Sequence, residues 1–125
     1  MILDYGGMNM ARKSSFDEEQ LTDSSYYILL TLVEEKHGYS IMQNVEALTD
    51  GELKIGPASL YTILKKMQGA QMIKQIENDN DRRKVYNITD KGRSVLLKEI
   101  KRRIAMAEHG KGVLKLLEGG SENEA

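Results

Sequence analysis

The stretch from Gly56 to Met67 constrains this chain most, because it combines a helix start with a regular apolar spacing. Pro57 suits the first turn of a helix, where its missing N–H would have no partner in any case. One side of the helix carries apolar residues at the i, i+3, i+4 and i+7 spacing of a buried stripe. These residues are Leu60, Ile63, Leu64 and Met67. The sequence therefore predicts a short amphipathic helix that packs on a core.

The other faces of this predicted helix are small, hydrogen-bonding or cationic, and they contain no acidic residue. They consist of Pro57, Ala58, Ser59, Tyr61, Thr62, Lys65 and Lys66. Such a face suits the major groove of DNA, since polar tips can reach base edges and lysines can neutralise phosphates. The alternative is an ordinary surface helix with two solvated lysines, and this helix alone does not decide between the two.

Charge is unevenly distributed along a chain whose net charge is only −1. Residues 1–53 carry three basic and ten acidic side chains, whereas residues 54–103 carry thirteen basic and five acidic ones. Residues 104–125 carry two basic and four acidic side chains. A basic middle third in a nearly neutral protein is the electrostatic layout of a nucleic-acid binder with an otherwise acidic surface.

Composition excludes several other classes of protein. The 125 residues are enough for one domain with a modest core. The absence of cysteine excludes disulfides, thiol catalysis and zinc ribbons, and it suits a reducing cytoplasm. No apolar run approaches the length of about 20 residues that a membrane helix needs, and the first residues do not resemble a signal peptide. We therefore expect an intracellular protein without a membrane partner.

Two helices are predicted upstream of Gly56. The first runs from Thr22 to about Glu35, with an apolar face wide enough for a central helix. We expect Gly38 to end it in the left-handed conformation. The second helix runs from Tyr39 to Leu48, and the turn residues 49–51 follow it.

A β-hairpin is predicted downstream of the central helix. Alternation of apolar residues indicates strands over residues 72–77 and 84–89, with a polar loop between them. The cationic end of this loop could contact phosphates or the minor groove; it consists of Arg82, Arg83 and Lys84. The alternative is a hairpin that its charges merely keep soluble, and Asp79 and Asp81 in the same loop favour that alternative.

The last predicted helix begins at Thr89–Asp90 and ends at Gly119–Gly120. Its apolar residues follow the spacing of a short heptad seam, which suits pairing with another chain better than packing on a small core. The seam consists of Leu97, Ile100, Ile104, Ala107 and Leu114. Lys111 interrupts it, and Gly110 and Gly112 weaken it. The alternative is that this helix folds back on its own domain.

Several motifs together resemble the PadR family of bacterial transcriptional regulators. They are Leu32, Gly38-Tyr39-Ser40-Ile41, the stretch Gly56–Met67, and Arg82-Arg83-Lys84-Val85-Tyr86-Asn87-Ile88-Thr89-Asp90-Lys91-Gly92-Arg93. The match spans roughly residues 21 to 97, and it is the combination of motifs that makes it specific. It implies a homodimeric repressor with a winged helix-turn-helix head and a C-terminal dimerisation helix.

The resemblance also implies roles for individual positions. Tyr61 matches the tyrosine of the family's recognition helix, and Ser59, Thr62 and Lys65 share its face. Arg82 and Arg83 match the wing tip, while Tyr39 matches the tyrosine that starts the second helix. The chain departs from the family at Gln71, where a glycine is usual. A left-handed bend must therefore fall on Gln71, or the helix must end earlier, at Gly69.

The resulting expectation is a mostly α protein with a small β-hairpin: a winged helix-turn-helix plus a C-terminal dimerisation helix. Residues 1–20 are expected to form a flexible arm, 21–89 the DNA-binding domain, 90–118 the dimerisation helix and 119–125 a disordered acidic tail. The expected partners are double-stranded DNA, a second copy of the chain and an aromatic or drug-like effector between subunits.

Two rival classes remain open. A winged-helix module that binds proteins instead of DNA would normally lack the basic wing and helix face found here. An enzyme or metal sensor is disfavoured, since His37 and His109 lie in separate segments and no carboxylate pair falls in a recognisable pocket. We therefore expect no catalytic residue, no metal and no cofactor.

Overall fold

The computed structural model describes residues 20–76 and 83–124 of the chain. Within these residues there are four helices and three strands; the helices and the last two strands follow the predicted order, and the first strand is additional. Their bounds are α1 Asp23–Thr31, β1 Lys36–His37, α2 Gly38–Leu48, α3 Pro57–Gly69, β2 Ile73–Ile76, β3 Val85–Ile88 and α4 Asp90–Glu124. Residues 1–19, which hold most of the predicted flexible arm, lie outside the described residues.

The core is built around α1, which is covered on several sides as its wide apolar face predicts. Helix α2 packs against α1, helix α3 packs in turn against α2, and α4 contacts α1 from another side. The largest fully buried side chains are Ile28, Leu29, Leu32, Ile41, Leu60, Leu64, Met67, Met72 and Val45. Residues 21–103, which contain this core, are called the head below.

The sheet has three strands, whereas the sequence predicts only two. The strand order is β1-β3-β2, and both pairings are antiparallel. Lys36 lies opposite Tyr86 and His37 opposite Val85. The prediction that Lys36–Gly38 ends the first helix is wrong. Gly38 is instead the first residue of α2, with His37 in the extended conformation before it.

Helix α1 is also shorter than predicted, because it ends at Thr31 and not near Glu35. The carbonyl oxygen of Leu32 accepts hydrogen bonds from the Ile88 amide at 2.9 Å and from Asn87 Nδ2 at 3.0 Å. A carbonyl directed at β3 cannot continue the helical hydrogen-bond ladder. The chain therefore leaves the helix and enters the sheet.

The junction between α3, the sheet and α4 explains the Thr89 and Gly92 positions of the sequence motif. Gln71 has φ 63°, so the left-handed bend falls on this residue, the first of the two predicted alternatives. Thr89 Oγ1 donates to the Gln71 carbonyl at 2.7 Å and accepts from the Gly92 amide at 3.0 Å. A Cβ atom on Gly92 would collide with the Met72 carbonyl oxygen. The motif therefore fixes the start of α4 against the end of α3.

Helix α4 is longer than predicted. It runs without interruption from Asp90 to Glu124, past Gly110, Gly112 and the predicted end at Gly119–Gly120. A glycine in a helix costs only about 1 kcal/mol relative to alanine, and no proline follows to stop the chain. The backbone of residues 121–124 is accordingly helical, and the helix ends later than the predicted Gly119–Gly120.

Candidate nucleic-acid interface

Helix α3 presents the face that its sequence predicts. Gly56 precedes the helix in an extended conformation, and Pro57 occupies its first turn. Leu60, Leu64 and Met67 are buried, so the opposite side is directed to solvent. All residues predicted for DNA contact on this helix are exposed; they are Pro57, Ala58, Ser59, Tyr61, Thr62, Lys65 and Lys66.

Tyr61 differs from the other residues of this face, because its side chain extends from α3 to the start of α2. A Cβ atom on Gly38 would lie 2.8 Å from Tyr61 Cζ and closer still to the hydroxyl oxygen. The missing side chain of Gly38 accommodates this close approach, and no left-handed backbone is involved. Tyr61 keeps 46% of its surface exposed, so part of this residue remains available to a partner.

A cleft lies between the start of α2, helix α3 and the base of the wing, the loop that joins β2 to β3. Its volume is about 430 Å³, and it is lined by His37, Gly38, Tyr39, Tyr61, Arg83 and Lys84. Four of these were predicted DNA contacts from three separate segments, which the fold brings together. The cleft combines two cationic side chains with two phenol rings and the start of a helix, a set of groups that suits a phosphate.

The buried tyrosine of β3 belongs to the same neighbourhood. Tyr86 is 3% exposed. Burial raises the pKa of its phenol, and the nearby Tyr61 raises it further. Both effects favour the neutral form of Tyr86, so this side chain adds no negative charge beside the cleft.

Part of the predicted wing lies outside the described residues. Arg82 falls within residues 77–82, so its position is not described. Arg83 and Lys84 are exposed at the start of the returning strand and line the cleft. The described part of the wing therefore carries cationic side chains next to α3.

The residues of the predicted seam lie on α4, mostly with exposed side chains. Leu97, Ile104 and Leu114 are 54%, 56% and 46% exposed, and Ala107 is exposed too. Ile100 differs, because it is half-buried against the core of its own head. Four of the five predicted positions are therefore open to a partner, and one serves the head.

The sequence analysis missed a second set of exposed apolar residues on the same helix. Met106, Val113 and Leu117 are 55%, 52% and 77% exposed, and Leu116 is 72% exposed. The first three follow one another at spacings of seven and four, which places them on one face of a helix. That spacing is visible in the sequence, where it runs beside the predicted seam through Leu114.

Two other kinds of site are not found among the described residues. No group of three or more His, Cys, Asp or Glu side chains is arranged to hold a metal ion there. In the same part of the chain, no helix is both long enough and apolar enough to cross a membrane.

Comparison with known proteins connects this geometry to a family. Residues 28–98, more than half of the chain, match the model of the transcriptional regulator PadR-like family. An uncharacterised protein of Lysinibacillus sphaericus is 28% identical over 80 residues, which cover 62% of this chain and 73% of that protein.

Two solved structures are similar to a large part of this chain. A Streptococcus mutans protein has a TM-score of 0.63 and 27% identity, and the match covers 74% of this chain and 86% of that one. Bacillus subtilis PadR in complex with operator DNA has a TM-score of 0.53 and 25% identity, with 61% of this chain and 45% of PadR covered. With the family match over residues 28–98, the chain belongs to the PadR-like family of transcriptional regulators.

Proposed function

We propose that this protein is a dimeric repressor that binds a pseudo-palindromic DNA operator through α3 and the wing. Two α3 helices, one from each subunit, would enter successive major grooves about one helical turn apart. The cleft beside Tyr61 would hold a backbone phosphate. Bound at a promoter, the dimer would exclude RNA polymerase, and its place of action would be the bacterial cytoplasm.

The observation that carries the proposal is the continuity of the α3 face with the cationic cleft. Exposed Ser59, Thr62 and Lys65 share one helix with Tyr61, which in turn lines the cleft together with Arg83 and Lys84. Base-reading groups and phosphate-binding groups thus form a single surface, as a DNA contact requires. Bacillus subtilis PadR, a protein of similar fold, is known in complex with operator DNA, which supports DNA as the partner.

The decisive experiment measures fluorescence anisotropy of the protein with DNA from upstream of its own gene and with a scrambled duplex, at several salt concentrations. We expect tighter binding to the upstream DNA and a steep salt dependence. Lys65→Ala and Arg83→Ala should each weaken binding to both duplexes and reduce the salt slope by about 0.9 per lost phosphate contact. Ser59→Ala and Thr62→Ala should instead reduce the difference in affinity between the upstream and the scrambled duplex.

Lys115→Ala is the matched control, because it removes the same charge from an exposed position far along α4. Its salt slope should equal that of the original protein. A slope that stays unchanged in Arg83→Ala would contradict the role of the wing. A protein that binds neither duplex at low salt would support the protein-interaction alternative.

Dimerisation through α4 is the second part of the proposal. Leu97, Ile104 and Leu114 are exposed apolar residues, and Ala107 completes their face. Burial of this face against a second copy would remove it from water at a gain of about 25 cal/mol per Å² of apolar surface. Ile100 would contribute at the edge, since part of it already contacts the head.

Sedimentation equilibrium tests this part. Ile104→Asp should shift the protein to monomer, because the new carboxylate would be desolvated without a partner. Lys98→Asp is the control, since residue 98 is exposed but lies away from the seam on the helix. A monomer for the unchanged protein, or a dimer that survives Ile104→Asp, would contradict the assigned seam.

Release of the operator would follow from an aromatic or drug-like effector bound between the subunits. Support comes from exposed Met106 on α4, because methionine side chains adapt to varied ligand shapes. A panel of planar aromatic compounds added to the protein–DNA complex at fixed salt should contain members that lower the anisotropy. The same compounds should have no effect after Met106→Glu if the pocket includes this residue.

A further inference from the structure

One polar network joins α4 to the segment that precedes and starts α1. At its centre is Glu99, which is only 5% exposed. Arg102 donates to it twice, from Nε to Oε1 at 3.1 Å and from Nη2 to Oε2 at 2.6 Å. Arg103 Nε donates to Oε2 at 2.8 Å. Because all three residues belong to α4, these bonds orient the two guanidinium groups but do not yet connect the helix to anything else.

Among the described hydrogen bonds of this network, those from Arg103 make the connection. Its Nη1 donates to Asp23 Oδ1 and its Nη2 to the Leu21 carbonyl, both at 3.0 Å. The same guanidinium lies 4.2 Å from the centre of the Tyr26 ring. A planar guanidinium held on one edge by Glu99 is already oriented for these contacts, so little freedom is lost when they form.

The network lies where α4 leaves the head. Leu96 is buried in the core and Ile100 is half-buried against it, whereas every residue from Ile104 to Glu118 is exposed. These exposed residues extend about 22 Å beyond the last contact at 1.5 Å per residue. A tilt of about 10° at Arg103 would move their far end by about 4 Å, which is slightly more than the rise of one base pair, about 3.4 Å.

We infer that Arg103, oriented by Glu99 and anchored on residues 21–26, fixes the angle between head and dimerisation helix and so selects the spacing between operator half-sites. The inference rests on the proposed dimeric function. Arg103 is a positioning residue in this role, since it acts on DNA only through the placement of the head. The half-site sequence that α3 reads is independent of it.

The test is selection of binding sites from a duplex library with 40 random base pairs, followed by sequencing. The unchanged protein should yield paired half-sites with one spacing. Arg103→Met should yield the same half-site sequence at several spacings. A second measurement compares the affinities for two operators that differ by one inserted base pair. The ratio of these affinities should fall from about tenfold or more in the unchanged protein to about threefold or less in Arg103→Met.

Arg102→Met is the matched control. It also removes one of the two cations that bind Glu99, but Arg102 contacts only Glu99 and Met106 of its own helix among the described bonds. It should keep the single spacing. Asp23→Asn serves as a second test variant if Arg103→Met fails to fold, because Asp23 is 79% exposed and its loss disturbs no core. Like Arg103→Met, Asp23→Asn should yield half-sites at several spacings.

The outcomes separate this inference from the proposal beneath it. Paired half-sites with one spacing for the unchanged protein, and again for both Arg103→Met and Asp23→Asn, would overturn the inference and leave the proposed function intact. Broad spacing in Arg102→Met as well would overturn the specific role of the link to α1. A library that yields no paired half-sites for the unchanged protein would overturn both.

Discussion

The two halves of α4 belong to one continuous helix but have very different surroundings. Residues 90–103 begin at the Thr89 junction, pack Leu96 into the core and end at the Arg103 network. Residues 104–118 are exposed throughout, although several of them are large and apolar. Isolated helices of about 15 residues are marginal in water. The first half is therefore stabilised by burial against its own head, whereas the exposed second half gains no such stabilisation. Under the proposed function, a second copy of the chain would cover it.

The largest expected effect comes from a pair of adjacent leucines in the first half. Leu96 is 4% exposed and Leu97 is 54% exposed. Leu96→Ala should lower the free energy of unfolding by about 2–5 kcal/mol, because it leaves a cavity in the core. Chemical denaturation followed by circular dichroism measures this, and the loss should be the same at every protein concentration.

Leu97→Ala is the control for that prediction. At concentrations where the protein is monomeric, it should change the free energy of unfolding by no more than about 0.5 kcal/mol. Its effect should appear instead as a higher dissociation constant of the dimer. Equal losses for the two variants would mean that the boundary between head-facing and partner-facing positions is misplaced.

Glycines in the two halves should respond oppositely to the same substitution. Gly92→Ala places a Cβ atom against the Met72 carbonyl oxygen and the Ile88 side chain, and it should destabilise the head by about 1–3 kcal/mol. Gly110 has no atom within 4 Å of such a Cβ, and Gly110→Ala should stabilise the helix by about 0.5–1 kcal/mol. Thermal unfolding should show a lower melting temperature for Gly92→Ala and a higher one for Gly110→Ala. Shifts of both melting temperatures in the same direction would contradict the comparison.

The smallest expected effect is the pH dependence of stability that Glu99 contributes. Hydrogen bonds from Arg102, followed by those from Arg103, outweigh burial and lower the pKa of Glu99. The pKa of Glu99 is lower in the folded than in the unfolded protein. The stabilisation by ionised Glu99 is therefore complete above the ordinary glutamate pKa of about 4.3, and it is lost as the pH falls through the lowered pKa. The difference in stability between the unchanged protein and Glu99→Gln should therefore shrink with acidification. Denaturation at a series of pH values measures it, and a constant difference would contradict the assignment.

Local periodicity predicted the parts of the fold that depend on neighbours along the chain. The buried stripe of α3, the two hairpin strands and the start of α4 follow from spacing and from turn or capping residues. Strand β1 was missed because Lys36 and His37 are too few to show alternation; their pairing with β3 is set by distant residues.

The candidate site also contains residues whose roles follow from the local sequence and residues whose roles depend on distant contacts. The exposed residues of α3 were predictable, because each follows from its position relative to the apolar stripe. Gly38 was assigned to the wrong role, since nothing near it in the sequence indicates that Tyr61 crosses over it. The Arg103 network was likewise invisible, because Asp23 and Arg103 meet only after α1 and α4 have packed together.

The contact between Gly38 and Tyr61 also restricts how this protein could change over evolutionary time. A side chain at position 38 can be accommodated only if the phenol of Tyr61 shifts or residue 61 becomes smaller. The residues tolerated at the two positions are therefore coupled. A lineage that replaced Tyr61 on its recognition helix with a smaller residue would also relax the constraint on position 38 of α2.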